Sequence, residues 1–156
     1  SPQRKYHGIS TQIIAQIKNV RVPFNVDIGV GDIIVPCAEE RTINTQLPDF
    51  EAPVIKTYSL ESTIAEKFDA ILQRFELTGR MKDFYDIYYL SNTFDFEGAK
   101  LQAAIFKTLQ RRGTPYDRDS FKRVVALADD EDMQKRWKFF LKTIKDNTLE
   151  FPFVIE

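Results

Sequence analysis

The sequence predicts an α+β fold, and a change of pattern along the chain supports this prediction. Residues 5–35 have the alternating apolar and polar residues of strands, whereas the residues from Ser59 onward repeat their apolar positions at helical spacing. The chain has 156 residues, of which 43% are apolar, and this is enough for a sizeable buried core. We therefore expect a strand-rich part at 1–57 and a helical part at 58–156 that packs on it.

Composition and charge exclude several classes of function. Lys and Arg total 22 against 23 Asp and Glu, so the chain has no overall basic field and any contact with nucleic acid must be local. The single cysteine, Cys37, has no partner for an internal disulfide, which is typical of a reducing cytosol. The sequence contains neither the run of about 20 apolar residues that spans a membrane nor a signal-peptide apolar region. We expect a cytoplasmic protein without a membrane segment.

The strand-like part contains one carboxylate in a notable position. The even-numbered residues from Phe24 to Val30 are apolar, and a period of two places them on one face, which we expect to enter the core. Asp27 therefore points to the opposite face. Residues 37–53 look like a long loop, and a short strand is predicted at 54–58.

The first helix carries two basic residues beside its apolar stripe. Ser59 is a good N-cap for this helix, and Glu61 lies in its first turn. Lys67 and Arg74 are seven residues apart and lie at one margin of the stripe, so their charged ends can reach across its edge. This geometry suits a bound anion, and it also suits an ordinary pair of solvated side chains on an amphipathic helix.

The rest of the chain reads as helices. In the last of them, Trp137, Phe140 and Leu141 recur at helical spacing and are expected in the core. Between Lys107 and Arg123, six basic residues stand against two acidic ones, an excess that suits contact with RNA phosphates and equally a solvated surface. The helices after the first are predicted at 80–91, 97–111, 118–128 and 131–146.

The second helix, GRMKDFYDIYYL at 79–90, has two carboxylates one turn apart. Asp83 and Asp86 fall on the sector away from most of the aromatic residues. Adjacent carboxylates repel each other unless a cation or a shared proton lies between them. Two interpretations stay open. Arg80 and Lys82 neutralise them through i,i+3 and i,i+4 pairs, or the carboxylates orient a basic side chain, a metal or a reacting hydroxyl.

Three separated motifs occur in a characteristic order: FNVDIGVGD at 24–32, YSLESTIAEKFDAILQR at 58–74 and GRMKDFYDIYYL at 79–90. Together they resemble the nucleotidyltransferase family of the AbiEii/AbiGii abortive-infection toxins, which belong to type IV toxin–antitoxin systems. In that family, a strand aspartate of the hDhGhGD kind precedes a Glu-x-x-x-x-Glu-Lys helix and then an Arg-x-Lys-Asp-x-x-Asp helix. The resemblance covers residues 20–112.

The resemblance implies a partial nucleotidyltransferase fold of the DNA polymerase β type, with a mixed sheet followed by a helical C-terminal half. Such enzymes bind a nucleoside triphosphate with Mg²⁺ and transfer its nucleotidyl group to an acceptor hydroxyl. By resemblance, Asp27 is the strand carboxylate near the acceptor and a metal ligand, and Lys67 binds the triphosphate. Asp83 or Asp86 is the acid that positions Lys67 and the nucleotide. Arg74, Arg80 and Lys82 are the further phosphate ligands.

The resemblance also implies partners. A cognate antitoxin would bind the protein, and the acceptor hydroxyl would belong to an RNA such as transfer RNA. The noncatalytic alternative is a nucleotide-binding or phosphate-binding interaction module that keeps the same fold.

One part of the family pattern is missing from the sequence. The family begins with a Gly-Ser or Gly-Thr turn, followed by an Asp-x-Asp or Asp-x-Glu pair that supplies most of the metal ligands. HGIST at 7–11 contains Gly8 and Ser10, but the next acidic residue is Asp27. We expect a preceding segment of the native protein to carry this motif, and we expect the chain by itself to be unable to transfer a nucleotide.

Overall fold

The structure, a computed structural model, describes residues 8–145 and 148–155. Its internal contacts divide the chain into unit 1, which ends at Asp32, and unit 2, which begins at Ile33. The predicted division after residue 57 stays a prediction. Residues 5–7 of the predicted strand region and residue 146 of the last predicted helix lie outside the described residues.

The predicted α+β class is confirmed. Each of the four later helices begins and ends within two residues of its predicted range. The short last helix was not predicted. None of the described helices is long and apolar enough to cross a membrane. In chain order, the described elements are β1 (Gly8–Ile17), β2 (Val20–Gly29), β3 (Glu39–Thr42), β4 (Val54–Thr57), α1 (Leu60–Leu72), α2 (Met81–Thr93), α3 (Gly98–Arg112), α4 (Arg118–Ala126), α5 (Glu131–Ile144) and α6 (Phe151–Ile155).

Unit 1 is an antiparallel hairpin of β1 and β2. Ile13 lies opposite Phe24 and Ser10 opposite Asp27, so the hairpin has one apolar and one polar face, as the period of two predicts. The expected burial of the apolar face is wrong for this hairpin, because Phe24 is 45% exposed and Ile28 is 49% exposed. A two-stranded sheet covers neither of its own faces, and no further described element belongs to this unit.

A second two-stranded antiparallel sheet joins β3 and β4 in unit 2, with Glu39 opposite Thr57. The short strand expected at 54–58 is confirmed. The expected long loop at 37–53 is wrong in part, because β3 lies inside it. All four residues of β3 are exposed, so its sequence lacks the alternation of apolar and polar residues that identifies a half-buried strand.

Helix α1 begins where the N-cap pattern predicts. The Ser59 hydroxyl accepts a hydrogen bond from the backbone N–H of Ser62 at 3.1 Å and donates one to the carbonyl of Val35 at 2.5 Å. The Ser62 hydroxyl accepts a hydrogen bond from the Val35 N–H at 2.7 Å. Both serines are fully buried, so the first turn of α1 is fixed to the segment that contains Val35.

The core of unit 2 is centred on Trp137 of α5. Its ring lies 5.4 Å from the ring of Phe151, and its indole N–H donates to the carbonyl of Leu149 at 2.9 Å. These contacts hold the short helix α6 against α5. Trp137 and Leu141 are buried as predicted, whereas Phe140 is half-buried at the edge of the core.

Candidate functional site

Lys67 of α1 reaches across to the two carboxylates of α2. Its ammonium nitrogen lies 2.5 Å from Oδ2 of Asp86 and 3.4 Å from Oδ1 of Asp83. The two helices pack against each other, and a separation of three residues puts both carboxylates on the side of α2 that faces Lys67. Lys67 is therefore a cation that lies between these acids and relieves their repulsion.

The local ion pairs that the sequence suggested are present as well. Nε of Arg80 lies 2.7 Å from Oδ2 of Asp83, and Nζ of Lys82 lies 2.5 Å from Oδ2 of Asp86. Three cations therefore surround two carboxylates. Both interpretations of the acid pair hold geometrically: the acids orient a lysine, and their own helix neutralises them.

Asp83 is the most buried member of this cluster. Its side chain is 4% exposed, and it is as deeply buried as Met81 and Phe84 on the same helix. Although Nε of Arg80 is close to Oδ2 of Asp83, its N–H is not aimed at that oxygen. Among the described residues, this oxygen therefore accepts no hydrogen bond. Arg80 therefore contacts this oxygen as an ion pair and not through a directed hydrogen bond.

Asp86 stays ionised for a definite reason. Burial is the largest single influence on its carboxyl and disfavours the charge, but hydrogen bonds and positive charges from Lys67 and Lys82 together outweigh burial. The pKa of Asp86 is consequently lowered from the ordinary value of 3.8. The Asp86 carboxylate, which accepts a hydrogen bond from Lys67, is therefore charged at neutral pH.

This ion cluster forms part of a groove of about 700 Å³ in unit 2, between α1, the start of α2, and α5. Lys67 and Asp83 lie in its wall, and two aromatic residues of α5, Phe139 and Phe140, lie there too. A volume of this size is typical of small-molecule sites. The remaining basic residues of the wall are Arg80, Lys82, Lys135 and Arg136.

Sequence reasoning missed the contribution of α5 to this groove. It assigned Trp137, Phe140 and Leu141 of this helix to the core, which is correct for Trp137 and Leu141. Phe139 falls outside that helical stripe and is 72% exposed. An aromatic residue off the apolar face of an otherwise amphipathic helix was the signal that could have identified it.

Three predicted site residues do not line this groove. Asp86 is outside its wall but pairs with Lys67, which is part of the wall. Arg74 lies just beyond the end of α1, where it is exposed, so it does not join Lys67 as the shared helix margin suggested. Asp27 lies in the middle of β2 in unit 1, opposite Ser10 of β1, and is exposed.

The basic stretch between Lys107 and Arg123 is partly engaged within the fold. Arg112 forms ion pairs with Glu66 and Asp69 of α1, and the guanidinium of Arg123 lies 3.9 Å from the centre of the Phe75 ring. Burial raises the pKa of Asp69, against the lowering effects of hydrogen bonds from Thr114 and Gln73 and of the Arg112 charge. These two arginines therefore hold elements together.

The described residues do not fit a bound Mg²⁺ ion. The part of the chain that the structure describes contains no group of three or more His, Cys, Asp or Glu side chains that could hold a metal. The carboxylates of Asp83 and Asp86 are already paired with lysine and arginine. Asp27 as a metal ligand stays a prediction.

Comparison with known proteins identifies a family that the chain matches. The family whose description is "Nucleotidyl transferase AbiEii toxin, Type IV TA system" matches residues 1–156. No curated protein and no solved structure matches the chain.

Proposed function

Because the chain belongs to the AbiEii family of nucleotidyl transferase toxins of type IV toxin–antitoxin systems, we propose that it uses a nucleoside triphosphate as the nucleotidyl donor. The acceptor in this proposal is a hydroxyl group of an RNA, such as transfer RNA. A new bond forms between the acceptor oxygen and the α-phosphorus, the bond to the β-phosphate oxygen breaks, and pyrophosphate leaves.

The observation that carries this proposal is the position of Lys67. Its ammonium is held between Asp83 and Asp86 in the wall of a groove, so its position is fixed before any ligand binds. A cation that is already in place loses little conformational freedom on binding, which favours tight association with a phosphate. Lys67 therefore binds the triphosphate, and the two acids position Lys67.

The charge of the groove favours the same ligand. Five basic side chains and one carboxylate line it, and three further carboxylates, Asp86, Glu131 and Asp132, pair with these lysines, so an excess of one positive charge remains for a polyanion. Within this set, Arg80 and Lys82 are the further phosphate ligands in our proposal, because each is also anchored by an acid of the same cluster. Arg74 is assigned no phosphate contact in this groove.

The transfer step requires more than this groove. The acceptor hydroxyl must lose its proton, and by the family pattern Asp27 assists there. Metal ligands are the role of the Gly-Ser turn and Asp-x-Asp pair, which the sequence does not contain. We assign no step to Mg²⁺, because the described residues do not fit it.

Binding of nucleotides by this chain tests the proposal directly. The four nucleoside triphosphates, each with Mg²⁺ in the buffer, are titrated calorimetrically into the chain and into Lys67→Met. Loss of one charge-assisted phosphate contact should weaken binding by about tenfold or more. Lys100→Met is the matched control, because Lys100 of α3 pairs with Glu97, the residue before that helix, and does not line the groove. Equal affinities for the chain and Lys67→Met would contradict the proposal.

A noncatalytic phosphate-binding module is the alternative, and it shares the groove. Incubation of the protein isolated from its native source with radiolabelled nucleoside triphosphates and transfer RNA separates the two functions. Label that becomes covalently attached to the RNA supports the transferase, whereas binding without incorporation supports the module. A cognate antitoxin and a cytoplasmic site of action follow from the proposed toxin role and belong to the same proposal.

A further inference from the structure

The groove that contains Lys67 has a second, aromatic wall. Phe140 of α5 is packed edge-on against Tyr85, with ring centres 5.8 Å apart, and lies 5.4 Å from the ring of Trp137. These contacts fix the helix from which the neighbouring Phe139 projects. Phe139 lines the groove and is 72% exposed, so its ring contributes little to the core.

The chemistry of the groove matches two features that a nucleotide combines. Basic side chains suit its phosphates. The exposed ring of Phe139 suits the flat face of a base. An inorganic phosphate would satisfy only the first of these.

We propose that Phe139 is the stacking platform for the base of the nucleotide whose phosphates lie at Lys67. This inference rests on the proposed function and adds the base-binding part of its site. Every base has a π-face, so stacking on Phe139 gives affinity that is nearly independent of base identity. The choice among the four nucleotides must therefore come from groups other than Phe139.

Calorimetric titration with two kinds of ligand tests this role. ATP, CTP, GTP and UTP are titrated into the chain, Phe139→Ala and Phe139→Trp, and inorganic tripolyphosphate is titrated into the same proteins. Phe139→Ala should weaken each nucleotide by about five- to 150-fold and leave tripolyphosphate unchanged, because stacking concerns the base alone. Phe139→Trp should retain nucleotide affinity. Phe153→Ala is the matched control, because Phe153 is also well exposed, at 64%, and does not line the groove.

The outcomes separate this inference from the proposed function. If Lys67→Met weakens nucleotide binding and Phe139→Ala does not, the phosphate site stands and the stacking role is overturned. If Phe139→Ala weakens tripolyphosphate as much as nucleotides, Phe139 supports the groove and does not stack on the base, which also overturns it. If no nucleotide binds the unmodified chain, the proposed function itself is overturned.

Discussion

At the scale of single residues, the ion cluster of α1 and α2 is where charge and burial compete. Asp83 is almost fully buried, and Lys67 and Arg80 lie beside it within ion-pair distance. A buried charge is tolerated only when partners compensate its lost hydration. This explains why a helix that is rich in aromatic residues contains carboxylates: they hold a lysine from the neighbouring helix.

Asp83→Asn should lower the free energy of unfolding by about 1–3 kcal/mol, because a charged partner of Lys67 and Arg80 is lost at a buried position. Urea unfolding of both proteins at pH 7 measures this difference. Asp132→Asn is the control, because Asp132 pairs with Lys135 on the surface, and a change within about 0.5 kcal/mol is expected there. Equal effects of the two substitutions would refute the importance of the buried pair.

Asp86 should make stability depend on pH at acidic values. Its folded pKa is lowered, so the folded protein releases this proton more readily than the unfolded chain. The resulting stabilisation is complete above the unfolded value near 3.8 and is lost as the pH falls through the lower folded value. Urea unfolding between pH 7 and pH 2.5 should show the difference between the chain and Asp86→Asn shrink below about pH 4. A difference that grows on acidification would contradict this assignment.

At the scale of elements, the start of α1 depends on Ser59 more strongly than the start of a surface helix depends on its capping residue. Ser59 caps the helix and also donates to the carbonyl of Val35, which lies in a preceding segment. A capping residue on the surface serves only its own helix, as Asp117 does at the start of α4. Burial and the second contact therefore distinguish two caps that look alike in sequence.

Ser59→Ala should lower the free energy of unfolding by about 2–3 kcal/mol, since the loss of the cap adds to the loss of the short hydrogen bond to the Val35 carbonyl, which keeps only the 3.4 Å bond from the Ser62 hydroxyl. Asp117→Ala removes a cap on exposed residues and should cost about 1 kcal/mol. Chemical denaturation of both variants measures the contrast. Similar losses of unfolding free energy would mean that the hydrogen bond from Ser59 to the Val35 carbonyl adds nothing to stability.

At the scale of the whole molecule, the main hydrophobic core belongs entirely to unit 2. Its buried members lie between Ile71 and Phe151, and the only tryptophan of the chain, Trp137, is among them. Tryptophan fluorescence therefore reports on this core alone. Unit 1 is a single hairpin, and a two-stranded hairpin is marginally stable at best by itself.

A chain that begins at Ile33 should fold and keep the urea midpoint of the Trp137 fluorescence transition, because it retains every residue of that core. A chain that begins at Ser59 also lacks Val35 and strands β3 and β4, so the hydroxyls of Ser59 and Ser62 lose their hydrogen bonds with Val35 and the midpoint should fall. If the chain that begins at Ile33 does not fold, unit 2 is not an independent folding unit.

The sequence by itself determined the fold class and the five longer helices, and it singled out the lysine and acids of the candidate site. Helical spacing locates Trp137 in the core, and the spacing of Asp83 and Asp86 makes them neighbours, because both relations are set within one helix. The sequence of the exposed strand β3 has no such alternation of apolar and polar residues, so it did not predict this strand. Only the tertiary structure decided that Lys67 lies between the acids and that Phe139 lies in the same groove as Lys67. These contacts join α1, α2 and α5, and periodicity within one element does not specify which elements meet.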